Sequence, residues 1–392
     1  MITISEAIRL IKHTASPLLK DRIKPLIDSE GYELYRDVHS PIHMPPFRQS
    51  AMDGYALNLH AHLDYTLIGE IKAGDGHRVH LEPGEAVRIF TGAAVPETGN
   101  AVVMQEKVTI NGTKITLDET PLENHNIRPL GAQVKKGDVA LKKGTKLRPA
   151  AIGYLTSLGI TKVSVFKKPR IAIVSTGNEL IKAGHSLPHG KIYESNSAML
   201  QNALMNLKFD DISLHSVEDT YEPTRDLLKL VMSTNDLVII TGGISVGDYD
   251  FVGKALTELK IVEHFYKVKQ KPGKPLLFGQ KENTLLFALP GNPAAALTCF
   301  YIYVYIAVQK MMNKGTLELP RISAQSNSSF IKKGERPQFL KAIYTENKVE
   351  ILEGQSSAML QTFAVSNALV FLPEDVSKIN INDWVETILL PV

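Results

Sequence analysis

The spacing of apolar residues changes along the chain and predicts regions of different structure. Residues 5–19 carry apolar side chains at helical spacing, and Pro17 ends or bends this predicted helix. Residues 64–117 carry short runs of β-type pattern, and Asn111-Gly112 between two alternating runs predicts a hairpin. We therefore expect a first helix and then a small β-domain.

After Pro169 the pattern alternates between compact apolar runs and amphipathic segments. The apolar runs predict strands at 170–175, 212–217, 236–240, 262–268, 276–278 and 284–289. The amphipathic segments predict helices at 197–207, 224–232 and 251–259, with a long helix after Pro293. Continuous apolar strands that alternate with helices indicate a mostly parallel sheet covered on both faces. From residue 320 short strands return and predict a second small β-domain.

Composition narrows the class of protein. The 392 residues include 44 Lys and Arg against 41 Asp and Glu, which is too balanced for a dedicated nucleic-acid binder. The single cysteine, Cys299, excludes an internal disulfide and a cysteine-rich zinc or iron–sulfur site, and it favours a reducing compartment such as the cytoplasm.

No segment predicts export or a membrane. The first ten residues lack the basic and apolar regions of a signal peptide. The most apolar run, residues 294–308, is shorter than the ~18–20 residues that span a bilayer. We expect it to be a buried helix in a large core or at a subunit interface.

Three predicted strands end in loops of small polar residues. Residues 176–179 read Thr-Gly-Asn-Glu, residues 241–250 form a glycine-rich stretch, and residues 290–293 read Pro-Gly-Asn-Pro, with Asn292 placed to cap the helix that follows. Glycines let backbone N–H groups approach an anion, and ligands of parallel sheets bind at strand ends. A single loop of this kind is explained as well by a tight turn. Three of them favour a phosphate cradle.

Charged residues accompany these loops. The segment Lys271–Pro275 places two lysines on a proline-stiffened turn, which next to phosphate loops favours anion binding over a plain surface turn. Glu179, Asp219, Asp248 and Asp250 follow predicted strands and suit either Mg²⁺ bridged to phosphate or capping of the next helix. A Walker loop, a Gly-x-Ser-x-Gly elbow and a His-x-x-x-His spacing are absent from the sequence.

Taken together, the motifs resemble the MoeA family of molybdopterin molybdenumtransferases, which is related to the C-terminal domain of gephyrin. The match runs through almost the whole chain in the family's order. Its motifs begin at Pro45 (PPFRQSAMDGYA), Arg88 (RIFTGA), Asn126 (NIRPLG), Ser175 (STGNEL), Thr241 (TGGISVG), Lys271 (KPGKP) and Leu289 (LPGNP).

The resemblance implies an enzyme of molybdenum cofactor biosynthesis. Such an enzyme takes adenylylated molybdopterin and molybdate, inserts molybdenum at the dithiolene and releases AMP, with Mg²⁺ or a similar divalent cation involved. It implies a multidomain α/β plus β fold and a head-to-tail homodimer whose cleft both subunits build. The expected domains are an elongated discontinuous domain (1–52 and 129–166), an inserted β-domain (53–128), a molybdopterin-binding α/β domain (167–316) and a C-terminal β-barrel (317–392).

The resemblance also carries roles onto individual residues. The implied catalytic residues are Asp53, Thr91, Glu179, Asp219, Asp250, Lys271 and Lys274, the first two coming from the partner subunit's side of the cleft. Glu179, Asp219 and Asp250 form the implied metal-linked group. The implied cofactor-binding residues are Thr176, Gly177, Gly242, Gly243, Ser245, Gly247, Pro290, Gly291, Asn292, Pro293, Arg336 and Ser356.

One position departs from the family pattern. Two residues beyond Gly131 the family usually has an acid, and this chain has Gln133. Two other functions stay open: adenylyl transfer to molybdopterin, because the α/β domain is shared with adenylyltransferases, and a weakly catalytic or inert scaffold of the gephyrin type. The extra domains argue against the first, and the retained acids, lysines and loops argue against the second. Other proteins of the same biosynthesis are candidate partners.

Overall fold

The computed structural model describes residues 1–244 and 251–391. Its contacts divide the chain into two compact units, Asp21–Phe166 on one hand and Met1–Lys20 with Lys167–Val392 on the other. The sequence prediction placed residues 1–52 in a single domain, whereas the contacts divide this range after Lys20. The reason is that Ala7 and Ile11 of the first helix pack into the hydrophobic core of the α/β unit. The boundaries of the four expected domains stay predictions.

The unit Asp21–Phe166 contains a six-stranded sheet. The order of its strands is Ala101–Met104, Gly54–Leu57, Glu85–Ile89, Asp64–Ile71, Lys114–Leu117 and Val108–Asn111. Neighbours are antiparallel except Asp64–Ile71 and Glu85–Ile89, which are parallel. The predicted hairpin is present. Its two-residue turn is Gly112-Thr113 rather than Asn111-Gly112, because Asn111 still pairs with Lys114.

The remainder of this unit joins residues before the sheet to residues after it. Strand pairs form between Asp21–Pro25 and Lys162–Phe166, between Val38–His39 and Val139–Leu141, and between Gln49–Ser50 and Ile127–Arg128. The helix Pro149–Ser157 and the 3₁₀ turns Leu26–Asp28 and Gln105–Lys107 complete it. Leu34, Leu147, Leu155 and Val165 pack into a separate core here.

The α/β part of the other unit is a six-stranded, mostly parallel sheet. Its order is Ile212–Val217, Ile171–Thr176, Leu237–Thr241, Thr284–Leu289, Leu277–Lys281 and Val262–Tyr266. The first four strands are parallel, and Leu277–Lys281 is antiparallel to both of its neighbours. Three central strands are buried along their whole length, as their continuous apolar sequence predicts.

Helices cover both faces of this sheet because alternate strand residues point to opposite sides. Ile173 and Ile239 pack against one layer of helices, Ile4–Thr14, Asn196–Asn206 and Pro293–Met311. Val174 and Ile240 pack against the other layer, Tyr221–Thr234 and Phe251–Glu258. The first helix ends at Thr14, earlier than predicted, with Ala15 extended as its C-cap and Pro17 two residues beyond that cap. Two short strands, Leu180–Ile181 and Ile192–Tyr193, pair beside the sheet.

The long apolar helix Pro293–Met311 is a core helix of this unit. In the described part of the chain it is the one helix that by length and composition could cross a membrane, but 83% of its most apolar window is buried inside the unit. It is α-helical over Pro293–Cys299 and Tyr305–Met311, with a π-helical segment, Phe300–Val304, between them. Its side chains belong to one large hydrophobic cluster with the sheet, which confirms the predicted buried helix.

The chain from Arg321 onwards forms the predicted β-barrel. Its closed order is Arg321–Ser326, Lys348–Ile351, Gln338–Thr345, Ala368–Leu372 and Trp384–Leu389. A short pair, Phe330–Ile331 with Lys378–Ile379, and the helix Leu360–Ala364 complete it. Ala324, Leu340, Val349 and Val370 fill the interior. The predicted fold class, α/β plus β with a C-terminal barrel, is confirmed.

Candidate active site

The first and third predicted loops and residues 241–244 of the second meet at one cavity of about 610 Å³ at the carboxyl ends of the parallel strands. Its wall combines residues from these loops, from the segment that precedes the helix Asn196–Asn206, and from the lysine loop and the barrel. The lining residues are Thr176, Glu179, Leu180, Ile192, Tyr193, Glu194, Ser195, Asn196, Asp219, Thr241, Gly242, Gly243, Ile244, Pro275, Pro290, Gly291, Asn292, Pro293 and Ala358.

The first loop fixes a carboxylate in the cavity wall. The buried Thr176 hydroxyl donates a hydrogen bond to Asp219 Oδ1. Asn178 Oδ1 accepts the backbone N–H of Asp219 at 3.0 Å. Asp219 is thereby held from two sides, and Glu179, with an exposed side chain, lines the same cavity. The structure thus brings together two of the three acids that the sequence analysis links to a metal.

The second loop requires glycine at two positions. Gly242 has φ +87°, and a Cβ there would lie 2.4 Å from the backbone oxygen of Thr176. Gly243 has φ +65°, and a Cβ there would lie 2.6 Å from Val252 Cγ2. Both glycines therefore let the loop backbone lie closer to Thr176 and Val252 than a residue with a side chain could. Ser245, Gly247 and Asp250, with Asp248, lie outside the described residues, and their roles stay predictions.

The third loop is tied to neighbouring elements by amide side chains. Asn196 Nδ2 donates to the backbone oxygen of Gly291 at 2.8 Å. Asn292 occupies the N-cap position with Pro293 at the first helical position, as predicted. The expected capping hydrogen bond is wrong, because no N–H of the first helical turn donates to the Asn292 side chain. Asn292 Nδ2 donates to Ser357 Oγ at 3.1 Å.

The lysine loop lies between the α/β part and the barrel. Pro275 lines the cavity, whereas Lys271 and Lys274 have exposed side chains outside its lining. Lys271 forms a backbone bridge with Gln338 of the barrel. Arg336 Nη1 donates to the backbone oxygen of Gln270 at 2.9 Å, so this predicted residue contacts the base of the loop. The cations are therefore grouped at the loop, beside the cavity wall.

A buried lysine holds the barrel segment 354–359, in which Ala358 lines the cavity. Lys341 Nζ donates to the backbone oxygens of Gly354, Ser356 and Met359 at 2.7, 3.1 and 3.0 Å. Burial lowers the pKa of Lys341. Ser356 Oγ accepts the N–H of Ala358, a cavity-lining residue, at 3.4 Å. The predicted residue Ser356 thus contributes to the shape of this loop.

Two predicted residues of the other unit form a pair of their own. The N–H and the hydroxyl of Thr91 both donate to Asp53 Oδ1 at 2.7 Å. These hydrogen bonds and the charge of Arg88 lower the pKa of the Asp53 carboxyl. Gln133, also in this unit, has an exposed side chain, and its N–H donates to the backbone oxygen of Met44 at 2.8 Å.

The fit of a divalent cation rests on the chemistry of the cavity wall. Within residues 1–244 and 251–391, no group of three or more His, Cys, Asp or Glu side chains is arranged to hold a metal ion. Glu179 and Asp219 nevertheless supply carboxylate oxygens to one cavity, which are donors that Mg²⁺ takes together with substrate phosphates and water. The residues present fit such an ion.

Sequence reasoning missed Asn196 and Lys341. No neighbouring residue signals the first, because its partner Gly291 lies 95 positions away. The signal for the second was a lysine inside the apolar strand Gln338–Thr345, where a charge must find polar partners. Both residues act through contacts distant in sequence.

Comparison with known proteins covers nearly the whole chain. Residues 2–159 match the MoeA N-terminal region (domain I and II), residues 172–310 match a probable molybdopterin binding domain, and residues 323–390 match the MoeA C-terminal region (domain IV). Residues 2–159 include the whole inserted segment 53–128 and most of the discontinuous segments 1–52 and 129–166 that the sequence analysis assigned to the family's first two domains.

Individual relatives agree with these models. A molybdopterin molybdenumtransferase of Haemophilus influenzae is 37% identical over 360 residues, which cover 89% of each chain. One of Staphylococcus epidermidis is 30% identical and covers 99% of this chain and 95% of its own. The crystal structure of a molybdopterin biosynthesis MoeA protein from Pyrococcus horikoshii superposes with a TM-score of 0.83 at 26% identity, and it covers 99% of both chains. On sequence and fold alike, this chain belongs to the MoeA family.

Proposed function

We propose that this protein is a molybdopterin molybdenumtransferase of molybdenum cofactor biosynthesis. It takes adenylylated molybdopterin and molybdate, inserts molybdenum at the dithiolene of the pterin and releases AMP. The observation that carries this proposal is the single cavity in which three glycine-containing strand-end loops meet Glu179 and Asp219. The cavity belongs to a chain whose full-length relatives bear the molybdopterin molybdenumtransferase name.

The chemistry of the substrates suits this wall. Adenylylated molybdopterin carries phosphate groups, which bind to backbone N–H groups that glycines leave accessible. Gly242 and Gly243 supply such a turn, and Thr176 and Pro290 to Pro293 form the neighbouring wall. Asp219, held by Thr176 and Asn178, and Glu179 would hold a divalent cation with Asp250. A bound cation would offset the negative charge of the departing AMP.

Molybdate is a tetrahedral dianion, so its site needs cations and N–H donors. Lys271 and Lys274 carry exposed ammonium groups on the loop beside the cavity, and Arg336 contacts the base of that loop. Cys299 is fully buried, and burial raises the pKa of its thiol, so it is no nucleophile. The sulfurs that receive molybdenum belong to the substrate.

The proposal also states that the protein is a homodimer with a shared cleft and that it is located in the cytoplasm. In it, Asp53 and Thr91 of one subunit face the cavity of the partner. The Asp53 carboxylate is fixed by Thr91 and ionised at neutral pH, which suits contact with a cation or an N–H donor. Other enzymes of the same biosynthesis would supply the adenylylated substrate.

Reconstitution tests the function directly. The purified protein is incubated with adenylylated molybdopterin, molybdate and Mg²⁺, and AMP release and the formation of active cofactor are measured. Molybdate-dependent AMP release is the expected result. Formation of adenylate from molybdopterin and ATP would instead identify an adenylyltransferase, and failure to bind molybdopterin would identify a scaffold. Omission of Mg²⁺ followed by its restoration tests the metal requirement.

A further inference from the structure

A buried polar cluster lies behind the loop Lys271–Pro275. Its members are Gln270, Cys299 and Tyr303, each 0% exposed. Gln270 immediately precedes the loop, whereas the other two belong to the core helix Pro293–Met311. A polar cluster inside an apolar core costs free energy unless its groups are hydrogen-bonded, and a fully bonded cluster makes the surrounding structure rigid.

The Gln270 side chain uses both its donor and its acceptor. Its Nε2 donates to the backbone oxygens of Pro272 and Gly273 at 3.0 and 3.2 Å. Its Oε1 accepts the hydroxyl of Tyr303. Tyr303 therefore fixes the amide, and the amide in turn fixes the two carbonyls at the centre of the loop.

The sulfur of Cys299 fills the space under the same turn. Gly273 has φ +83°, and a Cβ there would lie 2.4 Å from Cys299 Sγ. Cys299 Sγ also lies 3.6 Å from Gln270 Nε2. Burial raises the pKa of both Cys299 and Tyr303, so both keep their protons at neutral pH and the hydroxyl remains a donor.

The outer side of the loop is fixed by the barrel. The N–H of Lys271 donates to the backbone oxygen of Pro337, and the N–H of Phe339 donates to the oxygen of Lys271, each at 2.9 Å. Arg336 binds the backbone oxygen of Gln270. The loop backbone is thus fixed by the barrel on one side and by the cluster on the other, and the side chains of the two lysines are exposed.

We propose that Gln270 and Tyr303 are positioning residues that hold the loop backbone so that Lys271 and Lys274 bind an oxyanion at the cavity. Preorganisation of this kind increases affinity because the ligand does not have to order the loop. The identity of the oxyanion as molybdate rests on the proposed function. The hydrogen bonds by which the cluster holds the loop backbone do not depend on which oxyanion binds.

The test compares Tyr303→Phe with Tyr301→Phe, both tyrosines of the same π-helical segment. Among described residues the Tyr301 hydroxyl has no hydrogen-bond partner, so Tyr301→Phe is a matched control. Binding of sodium molybdate is measured by calorimetry, with thermal unfolding recorded in parallel. Loss of the buried hydrogen bond from Tyr303 to Gln270, which in turn holds the loop, is expected to weaken binding about five-fold in Tyr303→Phe. Gln270→Met is expected to weaken it at least as much, and the control is expected to match the parent.

A second arm separates positioning from general destabilisation. In a Lys271→Ala, Lys274→Ala background, Tyr303→Phe is expected to have no further effect on binding, since it acts through the lysines. A molybdate affinity in both Tyr303→Phe and Gln270→Met equal to that of the control would overturn the proposal. So would an equal loss of affinity with and without the lysines, or a parent that binds no molybdate.

Turnover then distinguishes this proposal from the proposed function. In the insertion assay, a raised KM for molybdate at nearly unchanged kcat in Tyr303→Phe agrees with positioning. A parent that binds molybdate in the manner described but releases no AMP would contradict the proposed function and leave the positioning role supported by the binding data.

Discussion

Thr91 donates two hydrogen bonds to a single oxygen of Asp53, one from its backbone N–H and one from its hydroxyl, each across 2.7 Å. The hydroxyl contributes most to the lowered pKa of the Asp53 carboxyl, followed by the N–H and, more weakly, the charge of Arg88. The two residues lie 38 positions apart in sequence, and both belong to motifs by which the chain resembles its family. Their pairing gives Asp53 a fixed orientation and a negative charge over the physiological pH range.

Replacement of Thr91 by valine should raise the pKa of Asp53, because the hydroxyl bond is lost and only the N–H bond remains. Thr91→Ser keeps both donors and is the matched control. An NMR titration of the Asp53 carboxyl carbon measures the change. An unaltered pKa in Thr91→Val would show that the hydroxyl does not govern this carboxylate.

The same pair predicts a pH dependence. Because the folded-state pKa of Asp53 is lowered, its bonds stabilise the fold fully above the ordinary Asp value of 3.8. This contribution is lost as the pH falls from that value through the folded pKa. The parent and Thr91→Val should therefore converge in unfolding temperature at strongly acidic pH. A difference in unfolding temperature between the parent and Thr91→Val that grows as the pH falls would contradict this prediction.

Removal of the cavity carboxylates should impair AMP release more than folding. Glu179→Gln and Asp219→Asn keep the size and one acceptor oxygen of each side chain but lose the charge that holds a divalent cation. We expect AMP release to fall by about ten-fold or more, which corresponds to ~1.4 kcal/mol, with stability changed by less than ~1 kcal/mol. Glu222→Gln, an exposed acid outside the cavity lining, is the control. Parental activity in both cavity variants would remove the metal-linked role.

Gly242→Ala should damage both stability and binding. The backbone at Gly242 has φ +87°, and the added methyl would meet the Thr176 backbone oxygen at 2.4 Å. A strained backbone of this kind costs about 1–3 kcal/mol, and the turn at the cavity must shift. Gly153→Ala, at a helical site where the added methyl meets nothing within 4 Å, should instead be neutral or stabilise by up to ~1 kcal/mol. Denaturant unfolding and AMP binding measure both effects, and equal effects at the two positions would contradict this account.

The shared cleft of the proposed dimer predicts complementation. In the proposed dimer each cleft takes Asp53 from one subunit and Lys271 from the other. Each variant homodimer therefore has two defective clefts, whereas a mixed dimer of Asp53→Ala and Lys271→Ala subunits has one intact cleft. Mixing the two variants under conditions of subunit exchange should restore part of the AMP release. Light scattering and a tagged-subunit pull-down confirm that exchange occurred. Exchange without recovered activity would exclude a cleft shared between subunits.

Short-range patterns were sufficient to predict the parallel sheet, the barrel and the three strand-end loops, because strand burial and glycine placement are visible in neighbouring residues. The cavity wall at Asn196, by contrast, depends on a bond to Gly291, 95 positions away. The side chain of Asn292 makes no capping bond to its helix and instead donates a bond to Ser357, 65 positions away, which local sequence does not reveal. The first helix joins the α/β unit for the same reason, since Ala7 and Ile11 find their partners in the core helix and the sheet.

Gln133 offers a test of charge at a position where the family usually carries an acid. Its side chain is exposed, and its N–H is bonded to the Met44 backbone oxygen, so Gln133→Asp should leave the local backbone unchanged. The substitution restores a negative charge and removes an NH₂ donor. Beside a cation this strengthens attraction, whereas beside molybdate or phosphate it adds repulsion. Because Glu179 and Asp219 already supply carboxylates to the cavity, we expect the parent to be active and Gln133→Asp to change molybdenum insertion by less than about three-fold, a difference of under ~1 kcal/mol. Gln133→Asn, which shortens the side chain without adding charge, is the control. A large rise in insertion without tighter ligand binding in Gln133→Asp alone would show that an acid at this position takes part in the reaction and that this chain is a slow enzyme for lack of it.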